Sequence, residues 1–104
     1  MHWYQYLAYF LGGAFLANSM PHIGNGISGR PFQTPFAKPP GKGLSSSTVN
    51  VLWGFLNLAV AYVLIFFVGS FNAFNTPRVV VIGTGMLVMS LISARTFGRF
   101  HGGQ

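Results

Sequence analysis

The chain is a succession of long apolar runs broken by one polar stretch, and each run approaches the length of a membrane span. The first, WYQYLAYFLGGAFLANSM, covers residues 3–20. At about 1.5 Å per residue it makes roughly 27 Å of helix, close to the ~30 Å hydrocarbon core of a bilayer. Trp3, Tyr4 and Tyr6 at its start resemble an interfacial aromatic belt. Ala17-Asn18-Ser19 suits a signal-peptide cleavage site. No basic segment precedes the run, however, so a retained span is the expectation.

The second run, residues 49–71, carries no charge and is long enough to cross with some tilt. Ser45-Ser46-Ser47-Thr48 just before it offers a cluster of N-cap residues. The third run, residues 79–94 extended to Phe97, is preceded by Thr76 as N-cap and Pro77 at the first helical position. Arg78 and Arg95 flank it and can snorkel to the interfaces. The short link from Asn72 to Arg78 predicts that runs two and three form an antiparallel hairpin. The pattern therefore predicts an all-α integral membrane protein in a single domain, residues 1–104. Its three transmembrane helices cover about 3–20, 49–71 and 79–97, with a long Gly/Pro-rich loop, 21–48, between the first two.

Composition strengthens this reading. Of the 104 residues 51% are hydrophobic and only 6% charged, whereas soluble domains carry roughly 25% charged residues. All six charges are basic, and Asp and Glu are absent. Apart from the C-terminal carboxylate no group of the chain can neutralise an arginine, so any further counter-charge must come from lipid phosphate, a bound anion or another polypeptide. A pI near 10.6 invites a nucleic-acid reading. The basic residues are few and border apolar runs, a placement that suits anionic lipid head groups and speaks against nucleic acid. Without cysteine there are no disulfides, thiolate metal sites or thiol nucleophiles.

Charge placement gives an orientation. With three spans, loop 21–48 and the C-terminal tail share one side and hold Arg30, Lys38, Lys42, Arg95 and Arg99; the other side holds Arg78. By the positive-inside rule the N-terminus is outside and the C-terminus inside. The expected location is a plasma membrane, of the bacterial inner-membrane kind.

A connection as long as PHIGNGISGRPFQTPFAKPPGKGLSSST is uncommon in a compact domain and is usually either functional or disordered. Pro31-Phe32 and Pro35-Phe36 repeat at a spacing of four, with Arg30 and Lys38 beside them. Three readings stand: an interfacial segment with rings in the acyl boundary and charges among phosphates, a lid over the helix ends, or a mobile linker. His22, Arg30, Phe32, Phe36, Lys38 and Lys42 are its candidate anion or lipid contacts. Gly24-Asn25-Gly26-Ile27-Ser28-Gly29 matches G-x-G-x-x-G, but a membrane helix precedes it where the dinucleotide fingerprint needs a strand. What survives is a flexible turn or a backbone anion nest beside Arg30. Gly41-Lys42-Gly43 lacks the Ser or Thr that a Walker loop requires after its lysine.

Within the spans, Asn50, Gly54, Asn57 and Ala61 fall on one helix face. Ala8/Gly12 and Gly13/Ala17 do the same in the first span, and Gly83, Ser90 and Ala94 in the third. Small residues let membrane helices approach, and buried Asn bonds across the contact; the alternative is that Asn50 and Asn57 line a polar path.

Acid–base chemistry has only His2, His22 and His101 to draw on. Two histidines on the cytoplasmic side could share a metal or haem, but structural zinc takes four protein ligands and the chain has no softer or anionic ones, so no catalytic residue, metal or cofactor is expected. The expected function is helix–helix assembly, as a homo-oligomer or an accessory subunit of a larger membrane complex, and not enzymatic. One alternative is a minimal oligomeric channel for a neutral or anionic solute. A second is a membrane enzyme or cofactor binder centred on His22.

Overall fold

The computed structural model describes residues 2–71 and 76–103. The expected turn of the helical hairpin, at 72–75, lies outside the described residues. In chain order the elements are α1 (Trp3–Ile27), β1 (Phe32–Gln33), β2 (Leu44–Ser45), α2 (Ser47–Tyr62), a π-helical continuation (Val63–Val68) and α3 (Thr76–His101). The molecule is all-helical apart from the two-residue strands, which pair antiparallel with Phe32 opposite Ser45 and Gln33 opposite Leu44.

Helix α1 does not stop at Met20. It continues through Pro21 to Ile27. Proline lacks the N–H that would bond back one turn, and side chains stitch this region instead. Ser19 Oγ donates to the Leu16 carbonyl at 2.6 Å, and Asn25 Nδ2 to the Pro21 carbonyl at 2.8 Å. The Gly24–Gly29 stretch is consequently the last helical turn and its cap, not an open loop. The backbone N–H groups of Ser28, Gly29 and Arg30 donate to Gly24, Gly26 and Asn25 carbonyls. An anion nest there is ruled out, because its donors are already used. At the start of α2, Ser46 is the capping residue of the serine cluster, its Oγ accepting from Val49 N–H at 3.2 Å.

Helix α1 lies between the other two. It runs antiparallel to α2, with Tyr9 near Gly69 and His22 near Asn50, and parallel to α3, with Phe10 near Gly85 and His22 near Phe97. Its small residues serve both neighbours. Successive residues point roughly 100° apart, so a side chain at Gly12 would meet Ile65 at 2.6 Å, while one at Gly13 would run into the Ile82 carbonyl of α3. The face of α2 that meets α1 is Asn50, Gly54, Asn57 and Ala61, all buried, with Gly54 against Ser19 and Ile23.

Helix α3 departs from the sequence expectation. Gly83 has open space around its Cα, and Ser90 and Ala94 are exposed. The buried glycine is Gly85, where a Cβ would strike the Phe10 carbonyl oxygen. Residues two apart point to nearly opposite sides of a helix, so the Gly83 stripe faces away from the protein.

Near Tyr62 the α2 ladder widens. Gly69 N–H reaches back to the Leu64 carbonyl at 2.8 Å, five residues away, as in a π-helix. The Gly69 carbonyl accepts the hydroxyl of Tyr9, a fully buried side chain. Tyr9→Phe should lower stability by about 0.5–1.5 kcal/mol, measured by thermal unfolding in detergent. An unchanged midpoint would show that this bond does not hold α1 to the end of α2.

Among the described residues two helices, Ser47–Val68 and Thr76–His101, are long and apolar enough to cross a membrane. Of the most apolar part of α3 only 6% is buried within the protein. Arg78, whose Nη1 donates to the Ser70 carbonyl at 2.9 Å and whose guanidinium lies 6.0 Å from the Tyr9 ring centre, marks one end of the row. The hairpin bearing Arg30, Lys38 and Lys42 lies at the other end, together with the C-terminal turns of α3.

Candidate functional site

The connection between α1 and α2 is folded. From Ser28 to Ser46 the chain makes the β1–β2 hairpin, closed by Gly41 N–H on the Thr34 carbonyl and Gly43 N–H on the Pro39 carbonyl, at 2.9 and 2.8 Å. It sits over the ends of α1 and α3 as a lid, and beneath it is His22.

His22 is 2% exposed and Asn50 is fully buried. His22 Nδ1 lies 2.8 Å from Asn50 Oδ1. Asn50 Nδ2 reaches three carbonyls, those of Phe32, Ser45 and Ser46, at 3.0–3.1 Å. Carbonyls only accept, so the amide orientation is fixed, with nitrogen towards the lid and oxygen towards histidine. An amide oxygen also only accepts, so His22 Nδ1 must carry the hydrogen. In the neutral ring Nε2 then presents a lone pair. Nε2 has no hydrogen-bond partner among the described residues and is not one of the sealed nitrogens.

Aromatic edges hold the ring. Phe32, Trp53 and Phe97 lie 5.5, 6.4 and 6.2 Å from His22 between ring centres, each close to perpendicular. Phe32 in turn stacks on His101 at 5.1 Å, and His101 Nε2 meets Gln33 Oε1 at 2.9 Å. Both histidines therefore touch Phe32, and each makes its hydrogen bond with a different residue, Asn50 for His22 and Gln33 for His101. Thr34, 1% exposed, pairs its hydroxyl with that of Ser45. One helical turn deeper, Asn18 Nδ2 donates to Asn57 Oδ1 at 3.0 Å, and Asn57 Nδ2 to the Trp53 carbonyl at 2.8 Å. The amide of Asn57 is thus satisfied at the α1–α2 contact. In a single chain Asn50 and Asn57 lie within this contact and not on an open path.

A cleft of about 160 Å³ opens beside His22, bordered also by Asn18, Gln33, Thr34, Trp53 and Thr96. None of its walls is charged. The indole N–H of Trp53 is sealed from solvent and lacks an acceptor among the described residues.

Of the six loop residues singled out from the sequence, the structure separates two groups. His22 is buried in a helix and Phe32 is buried on the inner side of the lid, so neither reaches lipid or a surface anion. Arg30, Lys38 and Lys42 are exposed, as is Phe36, whose ring edge rests on Trp53 at 5.0 Å. Arg30 Nε donates to Asn25 Oδ1 at 3.2 Å. Gln33, Trp53 and Phe97 escape sequence reasoning because nothing in their spacing ties three distant segments to one histidine. The available signal was density: the stretch from Asn18 to Gly54 holds most of the polar residues of the site, Asn57, Thr96 and His101 lying beyond it. Comparison with known protein families, with curated proteins and with solved structures finds no match.

Proposed function

We propose that the chain is a three-span integral membrane protein that works by helix–helix assembly, as a homo-oligomer or as an accessory subunit of a larger membrane complex. The observation that carries this reading is α3, an apolar helix whose own protein covers so little of it. Its Gly83, Ser90 and Ala94 lie on the uncovered side, where small residues give a second helix close access.

A third span is supported by the position of α1. Its apolar stretch falls short of those of its neighbours, and it lies between them, where α2 and α3 cover its small and polar residues. The long axis of the molecule, 41 Å, is that of a bilayer with its head groups, about 40–45 Å. Lying parallel, α1 and α3 deliver the hairpin and the C-terminal turns to one end, with Arg30, Lys38, Lys42, Arg95 and Arg99. The positive-inside rule makes that end cytoplasmic, with the N-terminus outside, in a membrane such as the bacterial inner membrane whose anionic head groups the exposed cations meet.

Native mass spectrometry of gently solubilised protein is the test. The expected result is a species heavier than one chain, either a multiple of 11.3 kDa or a complex with a foreign subunit. Gly83→Leu, at a position where an added Cβ meets nothing within 4 Å among the described residues, should break that species without unfolding the protomer. A monomer free of partners overturns the reading. A second reading, ligand binding at His22, is favoured by the cleft beside that residue.

A further inference from the structure

The His22 site is built with more care than a helix contact needs. One asparagine spends its amide nitrogen on three lid carbonyls and its oxygen on the histidine, which leaves the imidazole no freedom to turn or change tautomer. Such an arrangement holds Nε2 as a fixed acceptor, unpartnered and unsealed, on a residue that borders the cleft. A ligand there must bring a hydrogen. A carbonyl or carboxylate oxygen would set lone pair against lone pair, so acceptor-only groups are disfavoured.

Three further features narrow the class. The cleft has no charged wall, which favours a neutral ligand. Its size, about 160 Å³, is comparable with the roughly 150 Å³ that suffices for benzene in an engineered cavity of another protein. Its walls include the rings of Trp53 and Phe97, which suit a flat apolar body. A metal ion is the other partner of an imidazole lone pair. Among the described residues no three His, Cys, Asp or Glu side chains come together, and His101 is engaged with Gln33.

We propose that the cleft under the 28–46 lid binds a small neutral aromatic molecule whose hydroxyl donates a hydrogen bond to His22 Nε2. The inference is independent of how the chain assembles.

Nitrogen NMR of the full chain, labelled with 15N-histidine and held in detergent micelles, reads the site directly. The expected spectrum assigns His22 as protonated on Nδ1 and unprotonated on Nε2. Adding phenol should move the Nε2 resonance saturably, while toluene, of similar shape without the hydroxyl, should not. Thr96→Trp, which fills the cleft from its rim, should weaken the phenol response at least tenfold and leave the His22 tautomer unchanged. His22→Phe should abolish the signal, and the rim variant keeps the test decisive if that protein does not fold. The proposal is overturned by a His22 protonated on Nε2, or by a phenol response that never saturates or is shared by toluene. It is equally overturned if Thr96→Trp responds like the parent, or if no shift occurs at all, the cleft then holding water only.

Discussion

Asn50→Leu is expected to release the 28–46 lid from the helix ends. Leucine has the same number of side-chain heavy atoms as asparagine with the same branching, so the effect does not come from a cavity. What is lost is the group that ties Phe32, Ser45 and Ser46 carbonyls to His22. Each buried polar group left without a partner costs about 1–3 kcal/mol. Some of these carbonyls keep a second bond, the Ser46 carbonyl accepting Asn50 N–H for one, so the net loss is expected at about 2–4 kcal/mol. A lid that opens more often is cut more often, since cleavage follows the population of the open form. Trypsin should therefore cut the Lys42–Gly43 bond about tenfold faster or more; Arg30 and Lys38 are each followed by proline and resist it. An unchanged cutting rate with unchanged thermal stability would show that Asn50 does not hold the lid.

Gly85→Val is expected to separate α3 from α1. The Cβ at this position meets a backbone carbonyl, that of Phe10, which cannot swing aside as a side chain would. Relief requires the two helices to move apart and abandon the contact around Gly13 and Ile82 as well. Overpacking of this kind costs about 1–3 kcal/mol where side chains can adjust, and a backbone obstacle places Gly85→Val at or above the top of that range. Gly83→Val, two residues away and open to its surroundings, should change protomer stability by less than about 1 kcal/mol. Denaturation of both variants in mixed detergent micelles, followed by circular dichroism, compares them directly. Equal effects would mean that α1 and α3 do not meet as described.

These two glycines also mark the limit of sequence reasoning. Both lie in VVVIGTGMLVMS, and the stripe of small residues led to Gly83. A helix that is apolar nearly all round gives no polar face to indicate its inner side, so periodicity alone does not choose between two faces almost opposite each other. Asn50, Gly54, Asn57 and Ala61 were legible for the opposite reason. Two amides on one face of an otherwise apolar helix must be buried against something that bonds them, and α1 supplies Asn18 and His22.

The helix from Trp3 ran past its expected end because proline and three glycines in Pro21–Gly29 read as a loop. Local propensity was outweighed there by tertiary contact: Gly26 lies against Val51 and the Ser47 carbonyl, where no larger residue would fit. His22 consequently sits inside a helix and not at the mouth of a loop.

The amino-acid sequence alone determined the all-helical class, the approximate place of the two long apolar helices that follow the loop, the N-cap cluster before α2, the buried face of α2 and the gathering of five of the six basic residues in two segments. Each follows from local rules of hydrophobic length, capping and spacing. Only the tertiary structure decided that α1 lies between the other two, that Gly85 and not Gly83 is the contact glycine, and that the Pro31–Ser46 segment folds over His22. Those outcomes depend on which surfaces meet, and residues as far apart as Asn18, Phe32, Asn50 and Phe97 acquire a common chemistry only once the helices and the lid have brought them together.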